Sequence, residues 1–480
     1  MKFLVSVLLL LYISCLTYAQ DGTLDISFGI GGKSKTDFNS FNDICRSIAQ
    51  QSDGKILLAG YSNNGSNDDI AIIRYNYDGS LDNTFGNNGK VTTSIGNSYD
   101  RGFGVATQSD GKIVVTGYYS NGNDDDFFVV RYNNDGTLDT TFDHDGKVIT
   151  DISLNNDRAV SVAIQSDEKI VVGGFAYNLG NFDFALVRYN SDGSLDLNFN
   201  SDGIVLTDIG SAENVGLSVV IQSDGKIILA GDSNFGNGYD FTIARYNSDG
   251  SLDNTFSEDG IVTTTIGPSD DYCYSIKVQN DEKIIAAGYT YNGSNYDFVI
   301  VRYNSDGSLD NEFDNDGIVT TIFGLNSADN AYGVAVQPDE KIVVAGYTYL
   351  QTDLDFAVAR YHNNGSLDSS FNYNGKIVLA DTLDNGAYSM LIQSDGKIVL
   401  GGFSNNGHDR DFAVVRLNNP SLPVELISFT GFIVNKNVNL NWITSTELNN
   451  MGFMIERSID KISWATIGFR EGKGTTSEPQ

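Results

Sequence analysis

The chain is 480 residues long, with 62 acidic against 30 basic side chains and a formal net charge of −32. A field of that sign repels nucleic acid and anionic membrane, so neither is expected as a partner. The three histidines, His144, His362 and His408, fall at unrelated places, which leaves no histidine cluster for zinc or for general-base chemistry.

At the N-terminus, residues 1–19 combine a lysine at position 2, an apolar run from Phe3 to Leu16, and Thr17-Tyr18-Ala19 ahead of Gln20. This is the pattern of a secretory signal peptide cut after Ala19. The run is shorter than the about 20 apolar residues that a membrane span needs. The expected address is the cell exterior, either released or attached to the surface.

Residues 20–419 repeat. The glycine of an Asp-Gly-Ser-Leu-Asp motif recurs at Gly22, Gly79, Gly136, Gly193, Gly250, Gly307 and Gly365, a step of 57 residues with one slip of a single residue. The arginine of an Arg-Tyr-Asn motif also recurs seven times, from Arg74 to Arg416. A period this long signals a repeat architecture. In the fifth unit, residues 275–278, 283–288, 297–302 and 317–322 are short runs rich in Val, Ile and aromatics, bounded by Asn, Asp and Gly. Such runs read as strands. Four antiparallel strands per unit, repeated radially, make a β-propeller, and propellers commonly have about four to eight blades. Seven units predict an all-β, seven-bladed ring. The chain enters the repeat at Asp21 and leaves it at Asn419, in mid-unit. Residues around 33–38 are therefore expected to supply the outer strand of the last blade and close the ring.

Some positions are the same in every unit. The Leu-Asp and Phe of the motif (Leu309, Asp310 and Phe313 in one copy) never change, nor does the strand-entry aspartate (Asp69 in the first unit, Asp297 in the fifth), nor the arginine five residues beyond it. A residue needed seven times is structural before it is catalytic, and each arginine is expected to meet a partner on another strand or blade through a charge-assisted hydrogen bond. The unvarying motif glycine predicts a positive φ. The turn Gln-Ser-Asp-Gly-Lys, with Glu168, Glu282 or Glu340 in the glycine's place in three units, suits a type I turn. Tyr274, Ile276 and Val278 alternate with Cys273 and Ser275, which predicts a strand with two unequal faces. Cys45 and Cys273 occupy one position in different units, where the others carry Gly or Ala, so both are expected to be small core residues and not disulfide partners.

Function is expected where the units differ, in the loops on one face. A ring of aspartates about the channel mouth, Asp43, Asp100, Asp157, Asp271 and Asp329, is the candidate binding site for a glycan or protein. The rival is a polysaccharide-degrading enzyme using Glu213 and Asp270 at the channel mouth. Neither a nucleophile elbow nor a phosphate loop is present, and no catalytic residue is assigned. Asp143-His144-Asp145-Gly146 and Asp314-Asn315-Asp316-Gly317 are like calcium loops but lack the twelve-residue pattern and closing glutamate of an EF-hand. No cofactor is expected; calcium is left open, without assigned ligands. A monomer is expected.

After Pro420 the composition changes, and both tryptophans, Trp442 and Trp464, lie in residues 420–480. The alternation Val438-Asn439-Leu440-Asn441-Trp442 predicts part of a β-sandwich, which usually needs about 100 residues. The repeat, with Gln-Ser-Asp-Gly-Lys-Ile, Asp-Phe-Ala-Val-Val-Arg and Asp-Gly-Ser-Leu-Asp-Asn-Thr-Phe, resembles the delta-sixty repeat of bacterial secreted β-propellers, distantly similar to NHL propellers. The tail, with Leu422-Pro423-Val424-Glu425-Leu426, Asn441-Trp442 and Ile455-Glu456-Arg457, resembles the fibronectin type III-like module of type IX secretion cargo. These resemblances imply a secreted propeller followed by an incomplete fibronectin-type module, and imply no catalytic residues.

Overall fold

The computed structural model describes residues 21–210, 213–350 and 353–419 in full, and the strands Val424–Val434, Asn437–Ser458 and Trp464–Thr476 as backbone. The signal-peptide segment lies outside the described residues.

Six of the seven blades are antiparallel four-stranded sheets whose spatial order is their chain order. In the fifth blade the strands are Asp271–Val278, Ile284–Tyr291, Tyr296–Tyr303 and Ile318–Thr321. The first and second run several residues past the apolar stretches that mark them in sequence, because pairing with a neighbour satisfies backbone N–H and C=O groups whatever the side chain. The third strand is flanked by blades on both sides, and Phe298, Val299, Ile300 and Val301 are all fully buried. Burial on both faces explains why these strands read as continuous apolar runs instead of alternating. One apolar layer fills each gap between blades: Ile285, Phe298 and Ile300 of the fifth pack with Val334, Val344 and Ala357 of the sixth.

The ring closes through the N-terminal strand. Lys33–Thr36 pairs antiparallel with Arg410–Leu417, Lys33 opposite Val415 and Thr36 opposite Phe412, completing the seventh sheet. That sheet packs on the first blade, where Val399, Phe412 and Val414 share a core with Cys45, Ile48 and Leu58. Cys45 and Cys273 are free and buried in different cores.

The unvarying residues form a clasp in every blade. The arginine Nε donates to the motif aspartate at 2.7–2.9 Å in all seven copies. Its guanidinium lies over the motif phenylalanine, 4.4–4.6 Å from the ring centroid. Nη1 reaches a backbone carbonyl of the next blade, as Arg131 does to Ser191 (2.5 Å) and Arg188 to Ser248 (2.6 Å). The expected partner is thus a carboxylate eight residues on in the same blade, with the neighbouring blade bound as well. In the seventh copy Arg416 takes Asp25 and Phe28 from the other end of the chain, so the clasp itself spans the closure. The motif glycine sits beside it with φ between 82° and 95° in all seven copies. At Gly307 an added Cβ would meet the Phe256 ring of the preceding blade at 3.0 Å, a second reason for glycine.

In six blades the turn after the inner strand is closed by a bond from its fourth residue to the glutamine carbonyl, such as Gly54 to Gln51 at 2.9 Å. That fourth residue has positive φ in every blade, including Glu168, Glu282 and Glu340 at 63–66°. The glutamates hold this unfavourable conformation while reaching across to the preceding blade: Glu282 accepts from Gln222 (3.0 Å) and Ser223 (2.6 Å).

The chain divides into two compact units, the ring of Leu24–Gln393 with Ile398–Leu417, and a second holding the C-terminal residues from Asn418. In the second, Val424–Val434, Asn437–Ser458 and Trp464–Thr476 form one three-stranded antiparallel sheet. A facing sheet, which the expected fibronectin-type sandwich requires, is not among the described residues.

Candidate functional site

Every inner strand carries one β-bulge at the same place, between Cys45 and Ser47 in the first blade and between Cys273 and Ser275 in the fifth. A bulge adds a residue and re-aims its side chain. It also breaks the two-residue period expected of Tyr274 and Ser275, and both line a central cavity of about 440 Å³ to which all seven inner strands contribute. The cavity is within the range of small-ligand sites, about 300–1,000 Å³. The serine after the bulge binds the blades together around it: Val105 N–H donates to Ser47 Oγ at 3.3 Å, Val219 to Ser161 at 3.1 Å and Val334 to Ser275 at 3.2 Å.

The bulged residue differs from blade to blade: Arg46, Phe103, Val160, Leu217, Tyr274, Tyr332 and Tyr388. This makes the cavity one-sided. On one side Tyr274 and Tyr332 pack with centroids 4.6 Å apart, Tyr332 and Tyr388 at 5.1 Å, and Tyr388 and Phe403 at 5.4 Å. Arg46 continues the arc, its guanidinium 4.5 Å from the Tyr388 centroid and 5.2 Å from that of Phe103. Burial pushes the Tyr274 hydroxyl up to about 12, so it stands as a neutral donor and acceptor. The opposite wall is aliphatic, from Val160, Val215 and Leu217. Behind it Asp232 occupies the second-strand position that carries Tyr61, Tyr118, Phe175, Tyr289, Tyr347 or Phe403 elsewhere. It is buried, accepts from Cys273 N–H at 2.5 Å, and burial raises its carboxyl well above the usual range.

The loops entering the inner strands and those joining second to third strands do share one face, where Asn63 N–H bonds Asn42 O and Tyr291 N–H bonds Asp270 O. There Tyr239 donates its hydroxyl to Glu213 at 2.6 Å and packs against Tyr272 with centroids 5.4 Å apart. Asp270 accepts the Tyr239 N–H at 3.1 Å, the same bridge to the preceding blade that Asn156 makes with Asp125 and Asn42 with Arg410. Asp270 is thus a joint between blades as much as a free acid.

The five aspartates expected around the channel mouth are elsewhere. Asp43, Asp100, Asp157, Asp271 and Asp329 are 0% exposed and lie in the seams between blades. Each accepts a backbone N–H of the incoming loop, Phe38, Ile95, Ile152, Ile266 and Phe323 respectively, at 2.7–2.8 Å. They brace loops; the bulged residues three places further on, such as Arg46 and Tyr274, line the cavity. Burial, opposed by Ser62 and the Phe38 N–H but reinforced by Asp37 and Asp411, pushes Asp43 up to about 6. Burial likewise pushes Asp157 up to about 6. Two acidic groups could offer a cation three carboxylate oxygens within 4.8 Å of one another: Asp37, Asp43 and Asp411, and Asp126, Asp151 and Asp157. Neither coincides with the loops at Asp143 and Asp314. Neither Arg46 nor the tyrosine arc follows from the strand alternation; the signal for them in the sequence is a single bulky, variable position inside an otherwise repeated strand.

The family model described as "Domain of unknown function (DUF5122) beta-propeller" matches residues 51–85, 108–142, 165–199, 222–256, 279–313, 337–371 and 393–419, one match per blade. The chain belongs to a β-propeller repeat family. Each match in the propeller begins at the glutamine turn, and the six longer ones end at the clasp phenylalanine. No curated relative matches it in sequence. Among solved structures it is similar to a virginiamycin B lyase from Staphylococcus aureus, at 12% identity over 80% of this chain and 98% of that one, with a TM-score of 0.47. The polysaccharide lyase Uly1 matches at 12% identity over 78% of this chain and 90% of its own, TM-score 0.45. A protein of unknown function from Dyadobacter fermentans matches at 11% identity over 81% of this chain and all of its own, TM-score 0.40.

Proposed function

We propose that this propeller is a secreted or cell-surface recognition module that binds a glycan at its central cavity. The observation that carries the reading is the arc of Tyr274, Tyr332 and Tyr388 at the bulged position, on one side only of a ring whose other positions repeat. Flat rings with polar tips offer both an apolar platform and hydroxyls that hydrogen-bond, the combination a sugar ring needs. Variation confined to the lumen and its loops, on a scaffold held rigid by seven clasps, supports binding over a structural role. The leader-like residues 1–19 and the net charge of −32 support export and disfavour nucleic acid. A protein ligand on the loop face fits the same address.

The second reading is a polysaccharide-degrading enzyme, favoured by one observation: Glu213 is an exposed acid bonded to a tyrosine hydroxyl at the mouth. A glycan array and a hydrolase and lyase screen on the same preparation separate the two. Binding that Tyr332→Ala abolishes, without turnover, is the expected result. Turnover lost in Glu213→Gln would replace the binding reading with the enzymatic one.

A further inference from the structure

Arg46 is the one arginine among the described residues without an ion pair. The clasp arginines all meet aspartates, and at the cavity's edge Arg101 bonds Asp68 and Arg158 bonds Asp125, each at 2.7 Å. Arg410 faces Asp384 at 3.9 Å. Arg46 makes one side-chain hydrogen bond, from Nη2 to the Tyr61 hydroxyl at 3.2 Å, and its buried Nε–H has no acceptor. Three rings surround it, those of Tyr61, Phe103 and Tyr388. These contacts favour the cation, yet a guanidinium with an idle N–H in a desolvated place is costly unless an acceptor arrives.

A second cation faces the same cavity. Lys277 stands where the other blades carry Ala49, Ala106, Ala163, Val220, Ala335 and Leu391, all apolar, and its side chain lines the lumen. Among the described residues it has neither a hydrogen bond nor an ion pair, and its side chain is open to the lumen. Two unpaired cations in one cavity are notable in a chain with 62 acids to 30 bases, where every clasp arginine has found a carboxylate. The asymmetry is local, and it opposes the charge of the molecule as a whole.

We propose that the cavity takes an anionic sugar, its ring on the tyrosine arc and its carboxylate on Arg46, with the Lys277 ammonium on another blade of the same lumen adding to the positive field. This rests on the glycan-binding reading and names the class of glycan. A planar carboxylate on a pyranose carries the acceptor that Arg46 Nε–H lacks, and a guanidinium bonded to a carboxylate is among the stronger hydrogen-bonded pairs.

The test is calorimetric titration with oligogalacturonate, its carboxyl-reduced counterpart, which differs only in that group, and a sulfated galactan oligosaccharide. The uronate is expected to bind at least about tenfold more tightly than the reduced form. Arg46→Met should remove that advantage, so that uronate and reduced form bind alike, and Lys277→Met should remove part of it. Lys277→Met keeps the question open to test if Arg46→Met, judged by its melting temperature, does not fold. Equal binding of uronate and reduced form, or an advantage that survives both substitutions, overturns the inference and leaves the glycan reading standing. A preference for the sulfated ligand overturns the choice of carboxylate. Binding of none of the three overturns the glycan reading itself.

Discussion

Two rings of aspartates run through this propeller, and they are held in opposite electrostatic states. The clasp aspartates are buried, but hydrogen bonds and cations outweigh the burial. For Asp82 the donors are Thr84, Lys55 and Arg74, which hold it well below the usual carboxylate range. Asp368, with Ser370 and Arg360, is pulled down to about 2. The seam aspartates have backbone N–H groups and hydroxyls but no arginine against them, and often another carboxylate facing them. Burial then wins, raising Asp43 and Asp157 to about 6 and Asp100, Asp271 and Asp329 above their usual value. The same residue type, repeated on the same period, is an anchor in one ring and a source of strain in the other; the paired cation is the difference.

Breaking the first ring should have the largest effect. Asp310→Ala leaves the Arg302 guanidinium buried without its carboxylate, a loss of about 3–5 kcal/mol. Asp25→Ala should cost at least as much, because the same clasp joins the two ends of the chain. Asp43→Asn keeps an acceptor for the Phe38 N–H and removes a charge that burial disfavours, so at pH 7 its effect should be near zero or stabilising. Urea unfolding of the three variants decides this, and a seam variant as damaging as the clasp variant would end the contrast.

The pH dependence follows from the same difference. The seam carboxyls have raised folded values, so the native state holds their protons more tightly than the unfolded chain does, and stability rises as pH falls from about 6 towards 4. The clasp carboxyls are depressed; their contribution is present above about 4 and is lost as pH falls further, towards about 2 for Asp368. Melting temperature should therefore peak between about pH 4 and 5 and decline on both sides. A double variant, Asp43→Asn with Asp157→Asn, should flatten the upper limb alone. A steady fall from pH 7 downward in the parent protein would contradict the assignment of the seams.

The smallest effect expected is at Asp37, an exposed carboxylate facing Asp43 and Asp411. Asp37→Asn removes a like charge and should stabilise the ring by less than about 1 kcal/mol. If calcium instead bridges these carboxylates, the variant will be destabilised and EDTA will lower the parent's melting temperature to match. Thermal melts with and without chelator and added calcium distinguish the two.

The blade count, the order of strands and the closure by an N-terminal strand could be read from residue spacing, because a 57-residue period and its phase are properties of the chain itself. So could the positive φ of Gly307 and the structural character of Arg302 and Asp310, since a residue required in every copy must answer a need common to every copy. The candidate site could not be read in this way. Variation in the loops that enter the inner strands points to Asp43 at the mouth, and alternation along the strand, followed without a bulge, leaves Arg46 unremarked. One extra residue between Cys45 and Ser47 changes what the following side chains face, and a bulge of that kind depends on how the neighbouring strand pairs. Sequence by itself determined the repeated scaffold, where local pattern and hydrogen-bonding need agree seven times over. Only the tertiary structure decided which side chains meet in the lumen and which acids have a cation beside them: lumen neighbours come from other blades, about 57 residues or more away, and meet only once the ring has closed, while a clasp pair such as Arg74 and Asp82 meets only once its own blade has folded back on itself.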